Sequence, residues 1–322
     1  QLVKGLLSTG MEIIDLGVVP TPLVYFSLFH LDLQAAVQIT GSHNPPQYNG
    51  FKICCGKSTI FGPEIKKIEQ IARDRNFCQG DGSLKQSEII EPYKTRVLEL
   101  IKKPPKNLKI VLDAGNGTGG QTASPLFRQM GHQVEELFCQ MDGNFPNHFP
   151  DPTVEENLEA LKKKVLETGA DVGIAYDGDA DRIGVVDNQG QIIWGDTLML
   201  LFAKEILARK PGAVMIGEVK CSQVMYDQVE KMGGTAIMWR TGHSLIKSKM
   251  KEVKAELAGE MSGHIFFSDR FYGFDDAIYS SARLLEIIAE AEIPLSGLLS
   301  DFPTLFSTPE IRMECPEDEK FM

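Results

Sequence analysis

Several features are scarce in this sequence, and each shortage excludes something. No apolar run approaches the ~20 residues needed to cross a bilayer. The opening Gln1-Leu2-Val3-Lys4-Gly5 has none of the layout of a signal peptide. Cysteine is limited to Cys54, Cys55, Cys78, Cys139, Cys221 and Cys315, with no C-x-x-C pair, and four of them lie in or beside apolar runs. A disulfide framework is therefore excluded at this length, and packed, reduced thiols in the cytoplasm are expected. Positive charge is in deficit, 33 Lys and Arg against 44 Asp and Glu, for a net charge of -11. That balance argues against nucleic acid or an anionic membrane as the main partner, and an anionic ligand would need a local cationic pocket. The chain also lacks an initiating methionine and starts inside an apparent helix, so it reads as a fragment.

What is present describes an ordinary globular protein, 43% hydrophobic and 24% charged over 322 residues, enough for two or three domains of ~100–150 residues. Helical and strand patterns alternate throughout, which implies βαβ units and sheets that are mixed but mostly parallel. Three consecutive α/β domains are expected. The first, 1–88, ends after the polar run Gln79-Gly80-Asp81-Gly82-Ser83. The second, 89–190, closes with a hairpin turning at Asn188-Gln189-Gly190. The third, 191–304, finishes with a helix from Asp275 to Ala291, and 305–322 reads as a charged, Pro-rich linker.

The most informative stretch is Thr40-Gly41-Ser42-His43-Asn44-Pro45-Pro46-Gln47-Tyr48-Asn49-Gly50-Phe51-Lys52. It lies between two short apolar runs of buried-strand type, 35–40 and 51–55. Pro45 and Pro46 forbid a helix directly after Ser42. Asn49-Gly50 supplies a tight return. The excursion presents Ser42 and His43 at its tip and can bring Lys52 back beside them. A serine hydroxyl is a weak nucleophile unless activated, and His and Lys are the side chains most easily tuned to activate it. A polar surface turn would use the same residues.

Further on, Gly115, Gly117 and Gly120 fit G-x-G-x-x-G between a strand and a helix, with Glu135 or Glu136 on the next strand. A dinucleotide site is one reading, and a tight crossover is the other. His148, in the Pro-rich segment 145–152, suits a ligand or a structural loop residue. The run Asp177-Gly178-Asp179-Ala180-Asp181-Arg182 follows a strand. Three carboxylates at alternate positions repel one another unless a cation sits among them. An EF-hand is excluded, because Arg182 stands where its glycine belongs and Asn188 where its closing Glu belongs. A cation site or a solvated acidic turn remains. In the third unit, 218–222, 240–244 and 259–264 each follow a strand at the end where open α/β sheets bind ligands.

Taken together, the loops are similar to those of the α-D-phosphohexomutases, specifically the phosphomannomutase/phosphoglucomutase branch. The pattern TGSHNP-x-x-YNG-x-K is present without a gap, as are DGDADR and GEMSGH. The resemblance implies four domains in the whole protein, of which most of the first and all of the second and third are represented; an N-terminal segment and the fourth domain would be missing. It implies Ser42 as the phosphoserine, His43 and Lys52 as acid–base groups, and Arg182 as a fork for phosphate. It also implies Mg²⁺ held by Asp177, Asp179, Asp181 and the phosphate on Ser42. Lys220, Thr241, Gly242, His243, Glu260, Ser262 and His264 would line the sugar pocket. The implied activity is a hexose 1-phosphate/6-phosphate mutase with a hexose 1,6-bisphosphate as activator and no macromolecular partner, acting as a monomer. A Mg²⁺-dependent sugar-phosphate phosphatase and a sugar-phosphate binding module are the alternatives.

Overall fold

The computed structural model describes residues 1–303; the expected linker at 305–322, with Cys315, lies outside the described residues. The first unit contains α1 (Leu2–Leu7), β1 (Glu12–Asp15), α2 (Thr21–His30), β2 (Ala35–Ile39), β3 (Phe51–Cys55), β4 (Ser58–Thr59), α3 (Pro63–Asp74) and β5 (Ser83–Gln86). Here the expected parallel sheet is only half realised: β1 and β5 pair in parallel, whereas β2, β3 and β4 form an antiparallel ribbon. The expected return at Asn49-Gly50 falls earlier: turns at Gly41–Asn44 and Pro45–Tyr48 fold the chain back, and the Gly50 carbonyl already accepts from the Thr40 N–H at 3.0 Å, so β3 runs against β2 with Lys52 opposite Gln38. The two flanking runs are correspondingly less buried than their composition suggests, since a three-stranded ribbon keeps one face open.

α2 anchors this unit to the rest. Thr21 through Leu28 are all buried, and Phe26 meets Tyr93 edge-on at 5.5 Å while Tyr25 meets Phe274 at 5.5 Å. Aromatic pairs of this kind contribute about 0.5–1.5 kcal/mol each beyond their burial. The helix start that carries Thr21 is thereby fixed against both other units.

The second unit comprises α4 (Ile90–Leu100), β6 (Lys109–Asp113), α5 (Gly120–Gln129), β7 (Gln133–Leu137), a 3₁₀ turn (Glu155–Leu158), α6 (Glu159–Thr168), β8 (Val172–Tyr176), β9 (Ile183–Asp187) and β10 (Ile192–Ile193). Its sheet order is β10-β9-β8-β6-β7, parallel through β8, β6 and β7 and antiparallel at β9 and β10. β8 and β9 are buried along their whole length, as continuous apolar runs require. They deliver the aspartate loop between them.

The third unit is α7 (Gly195–Arg209), β11 (Val214–Glu218), α8 (Gln223–Lys231), β12 (Thr235–Trp239), α9 (His243–Val253), β13 (Leu257–Gly259), β14 (Ile265–Phe267), α10 (Ala277–Glu290) and α11 (Leu295–Leu298). The sheet order is β12-β11-β13-β14, with β14 antiparallel. β13 and β14 have three residues each, too short for a period to register in the sequence, and the segment 260–264 is the turn that joins them. The fold class stands as expected: consecutive α/β units with mixed sheets. No helix among the described residues is long and apolar enough to cross a membrane. Cys54, Cys55, Cys78, Cys139 and Cys221 are unpaired.

Asp276 ties the second and third units together. Its carboxylate accepts the Tyr279 N–H at 2.8 Å, capping α10, and the Tyr93 hydroxyl at 2.8 Å. Burial pushes its carboxyl up to about 7. A folded-state value above the ordinary one means that the folded chain holds the proton more tightly. Its stabilising effect is full below about pH 4 and is lost as pH rises through about 7, at about 1.4 kcal/mol per pH unit. Asp276→Asn keeps the cap and cannot titrate. Urea denaturation should therefore show the variant gaining about 4 kcal/mol on the wild type between pH 4 and pH 7; a constant difference would show that Asp276 titrates normally.

Candidate active site

The Ser42 loop and the aspartate loop are stacked on each other. Ser42 has φ of 52°, in the left-handed region that few non-glycine residues occupy, and its N–H donates to Thr40 Oγ1 at 2.8 Å. This turns the hydroxyl inward, where Ser42 Oγ donates to Asp177 Oδ2 at 2.8 Å and lies 3.1 Å from His43 Nδ1. The carbonyl of Ser42 rests on Gly178, at a position where a Cβ would strike it. Gly178 is in turn seated on the glycine-rich turn: Thr118 N–H donates to its carbonyl at 3.0 Å, and a Cβ on Gly117 would come within 2.6 Å of the same oxygen. The surface where a pyrophosphate would lie against G-x-G-x-x-G is thus filled by the chain's own backbone, and the dinucleotide reading is not favoured. His148 is also absorbed, with Nε2 facing Asp113 at 3.1 Å and its ring against Phe138.

The aspartate loop curls at Ala180, φ 56°, and is held by Asp177 Oδ1, which accepts the N–H groups of Asp181 and Arg182 at 3.1 and 3.2 Å. All three carboxylates are buried. Lys52 reaches them from β3, donating to Asp179 Oδ2 at 2.7 Å and to Asp181 Oδ2. Burial alone would lower the Lys52 pKa, but Asp181, Asp179 and Asp177 reverse that and hold it firmly as the ammonium. Burial, then the charges of Asp181 and Asp179, pushes Asp177 well above the usual carboxylate range. For Asp179 burial acts the same way, yet Lys52 outweighs it and the pKa falls below the ordinary value. His43 is lowered by burial and then by Arg182, so its ring is neutral at pH 7.

These residues fit a divalent cation. One oxygen from each of Asp177, Asp179 and Asp181 lies within 4.8 Å of the others, and Asp179 Oδ1 and Asp181 Oδ1 are buried without a hydrogen-bond partner among the described residues. All the donors are hard oxygens, which suits Mg²⁺ better than a softer metal. The Lys52 ammonium against two of them shows how strongly the loop demands positive charge.

In the third unit the three expected loops converge on two glutamates. Glu260 Oε1 accepts the Gly242 N–H at 2.8 Å, and Oε2 accepts the Ser262 hydroxyl at 3.1 Å. Glu218, at the end of β11 and fully buried, accepts from Lys220 N at 2.9 Å, Thr241 Oγ1 at 2.6 Å and Met261 N at 3.2 Å. One carboxylate therefore fixes all three loops, leaving the Lys220 side chain exposed at the rim. His264 bridges this unit to the aspartate loop: its backbone pairs with Arg182, and its Nε2 accepts from Arg182 Nε at 3.0 Å. His243 stacks beside it, ring centroids 5.9 Å apart, with burial and then Lys247 lowering its pKa to about 3.

Sequence reasoning missed several residues of this cleft. Thr21 donates to Asp179 Oδ2 at 2.6 Å from the first turn of α2. Asp275, with Lys247 at 2.9 Å, lies behind the two histidines. Thr21 had only a signal for helix entry, and Asp275 only one for a helix start; neither signal reveals Thr21's contact across 158 residues or Asp275's with Lys247 on the preceding helix.

Comparison with known proteins matches residues 1–78, 90–190 and 194–306 to phosphoglucomutase/phosphomannomutase alpha/beta/alpha domains I, II and III respectively. The chain is 47% identical over 321 residues to the phosphomannomutase/phosphoglucomutase of Pseudomonas putida, all of this chain and 69% of that one. It is 44% identical over 317 residues to the phosphoglucomutase of Neisseria gonorrhoeae, 98% of this chain and 68% of that one. A crystal structure of a phosphoglucomutase/phosphomannomutase family protein from Burkholderia thailandensis superposes with a TM-score of 0.91 at 46% identity, over 96% of this chain and 69% of that one.

Proposed function

Since the chain belongs to the phosphoglucomutase/phosphomannomutase family, we infer that it is a hexose-phosphate mutase, an isomerase moving a phosphoryl group between O1 and O6 of a hexose. The observation that carries the mechanism is the Ser42 hydroxyl, turned by its left-handed backbone onto Asp177, with His43 and Lys52 in the same cleft. PhosphoSer42 gives its phosphoryl to O6 of a hexose 1-phosphate: the P–Oγ bond breaks, a P–O6 bond forms, neutral His43 takes the O6 proton, and the Lys52 ammonium gives a proton to the departing Ser42 Oγ. The 1,6-bisphosphate then turns over in the cleft. Its 1-phosphoryl returns to Ser42: a P–Oγ bond forms as the P–O1 bond breaks, Ser42 Oγ gives its proton back to Lys52, and O1 takes the proton held on His43. Lys52 serves as the second proton-handling group once the serine phosphate draws it off the aspartates.

Asp177, Asp179, Asp181 and an oxygen of the Ser42 phosphate would hold Mg²⁺, which when bound offsets charge on the transferring group. Arg182 supplies a second cation. Glu260 and Ser262 orient the sugar hydroxyls, Thr241, Gly242 and His243 shape the floor, and Lys220 at the rim meets the phosphate not being transferred. A hexose 1,6-bisphosphate acts as activator by loading Ser42. The domains are taken as 1–88, 89–190 and 191–304, acting as a monomer in the cytoplasm; the unpaired cysteines support the last point.

Glucose 1-phosphate and mannose 1-phosphate, each supplied with Mg²⁺ and a trace of glucose 1,6-bisphosphate, distinguish the readings. A mutase forms the corresponding 6-phosphate with little inorganic phosphate. Steady release of inorganic phosphate without isomerisation would instead identify a phosphatase, and no reaction with either sugar a binding module.

A further inference from the structure

Asp275 is fully buried just before α10, and nothing in the chemistry above uses it. Its Oδ1 accepts from Lys247 Nζ at 2.9 Å, and Lys247 lies over the Tyr25 ring of α2 at 4.1 Å. Its Oδ2 faces His264 Nδ1 at 3.2 Å, off the line of an ideal hydrogen bond, and His243 Nδ1 at 3.7 Å. On its other side the His264 ring is fixed by Arg182, whose Nε donates to His264 Nε2 at 3.0 Å. Arginine Nε always carries its proton, so His264 Nε2 is bare and the ring proton sits on Nδ1. Two carboxylates wait for that proton, Asp275 at 3.2 Å and Asp181 at 3.6 Å. With Nε spent on the histidine, the terminal nitrogens of Arg182 have no hydrogen-bond partner among the described residues and remain available to a ligand.

Deepening the mutase reading, on which this rests, we propose that Asp275 is a positioning residue for Arg182: it fixes the tautomer and plane of His264, and His264 fixes the direction of the guanidinium fork that Arg182 presents to the phosphoryl group. A carboxylate that orients a histidine which in turn orients a reacting partner is a common arrangement, and disturbing such a support typically costs 10–100-fold. A second metal centre is the competing account. Asp181 Oδ1, His264 Nδ1 and Asp275 Oδ2 are close enough to share an ion, and none has a hydrogen-bond partner among the described residues. Yet each of the three residues already carries a cationic neighbour: Lys52 on Asp181, Arg182 on His264 and Lys247 on Asp275. A further ion would be placed among three positive charges, so a shared proton is favoured.

The test combines a double-mutant cycle with ¹⁵N NMR of the histidine rings. Asp275→Asn should lower kcat by about 10–100-fold with KM changed less than about 3-fold. In an Arg182→Ala background the same change should cost less than about 3-fold, because its route to the substrate is already gone. Equal losses in both backgrounds would overturn the proposal, since a general loss of packing is additive. In the wild type, His264 should show a bare Nε2 and a protonated Nδ1, and Asp275→Asn should mix the tautomers. A protonated Nε2 in the wild type would overturn the proposal whether or not the variant folds, as would a stoichiometric shift of the Nδ1 resonance on adding Zn²⁺. The NMR arm decides the matter even if the chain isomerises no hexose phosphate, a result that would overturn the mutase reading alone.

Discussion

Ser42→Ala should abolish turnover, lowering kcat/KM by about 10⁴-fold or more, because removing the nucleophile of a covalent mechanism leaves only binding and electrostatic assistance. Among the described residues no other serine is placed between a histidine at 3.1 Å and a buried carboxylate at 2.8 Å. The fold should be spared. Alanine tolerates φ of 52° no worse than serine does, so the strain already stored in the loop is unchanged. The substitution forfeits one hydrogen bond to Asp177, about 1 kcal/mol, which corresponds to a shift in Tm of about 1–2 °C for a chain of 322 residues. Incubation with a hexose 1,6-bisphosphate followed by intact-mass measurement and peptide mapping checks the assignment. Wild type should gain one phosphate on Ser42 and the variant none. Phosphate on another serine, or label that survives the substitution, sinks it.

How much of this was legible beforehand depends on whether the signal was local. The Ser42 excursion was readable because Pro45 and Pro46 restrict the backbone directly, although the return expected at Asn49-Gly50 is made earlier, by the turn at Pro45–Tyr48. The aspartate triplet was readable because three carboxylates in five residues cannot be neutral towards one another. The partners of β2, β3 and β4 were not legible: alternation of apolar runs implies strands without stating what they pair with, and the ribbon's open face was invisible to composition. The glycine-rich turn allowed either a tight crossover or a dinucleotide site, and the choice was not legible, since the partner that fills it and disfavours the second, Gly178, comes some sixty residues later. Glu218, Thr21 and Asp275 were out of reach for the same reason. A lone buried carboxylate or hydroxyl carries no sequence pattern, and its role appears only when distant loops are brought to it.

Asp179→Asn separates the metal from the fold. Asp179 accepts from Thr21 Oγ1 and Lys52 Nζ through one oxygen, while its other oxygen is buried without a hydrogen-bond partner. An asparagine fills the same space and can still accept from Thr21 through its carbonyl. It also removes one of three charges that repel each other, an effect that opposes the loss of attraction to Lys52. Thermal stability should therefore change little. Binding of a divalent cation should change greatly: a carboxylate lost at about 4 Å with an effective dielectric of 20 is worth about 4 kcal/mol per unit of the ion's charge, so affinity should fall by on the order of 10³-fold or more. Turnover should fall by a similar factor, because charge on the transferring phosphoryl group is then offset by Arg182 and Lys52 alone. Isothermal titration with Mg²⁺ on wild type and variant, alongside phosphoryl transfer to Ser42 before and after chelation, gives both quantities. Wild type should lose transfer on chelation and regain it with Mg²⁺, more fully than with Ca²⁺, whose 6–8 oxygen ligands three aspartates cannot supply. Transfer that proceeds unchanged in chelator, or a variant that binds Mg²⁺ as the wild type does, would show that Lys52 already supplies the charge the three aspartates require and that the loop is an ion-pair site rather than a metal site.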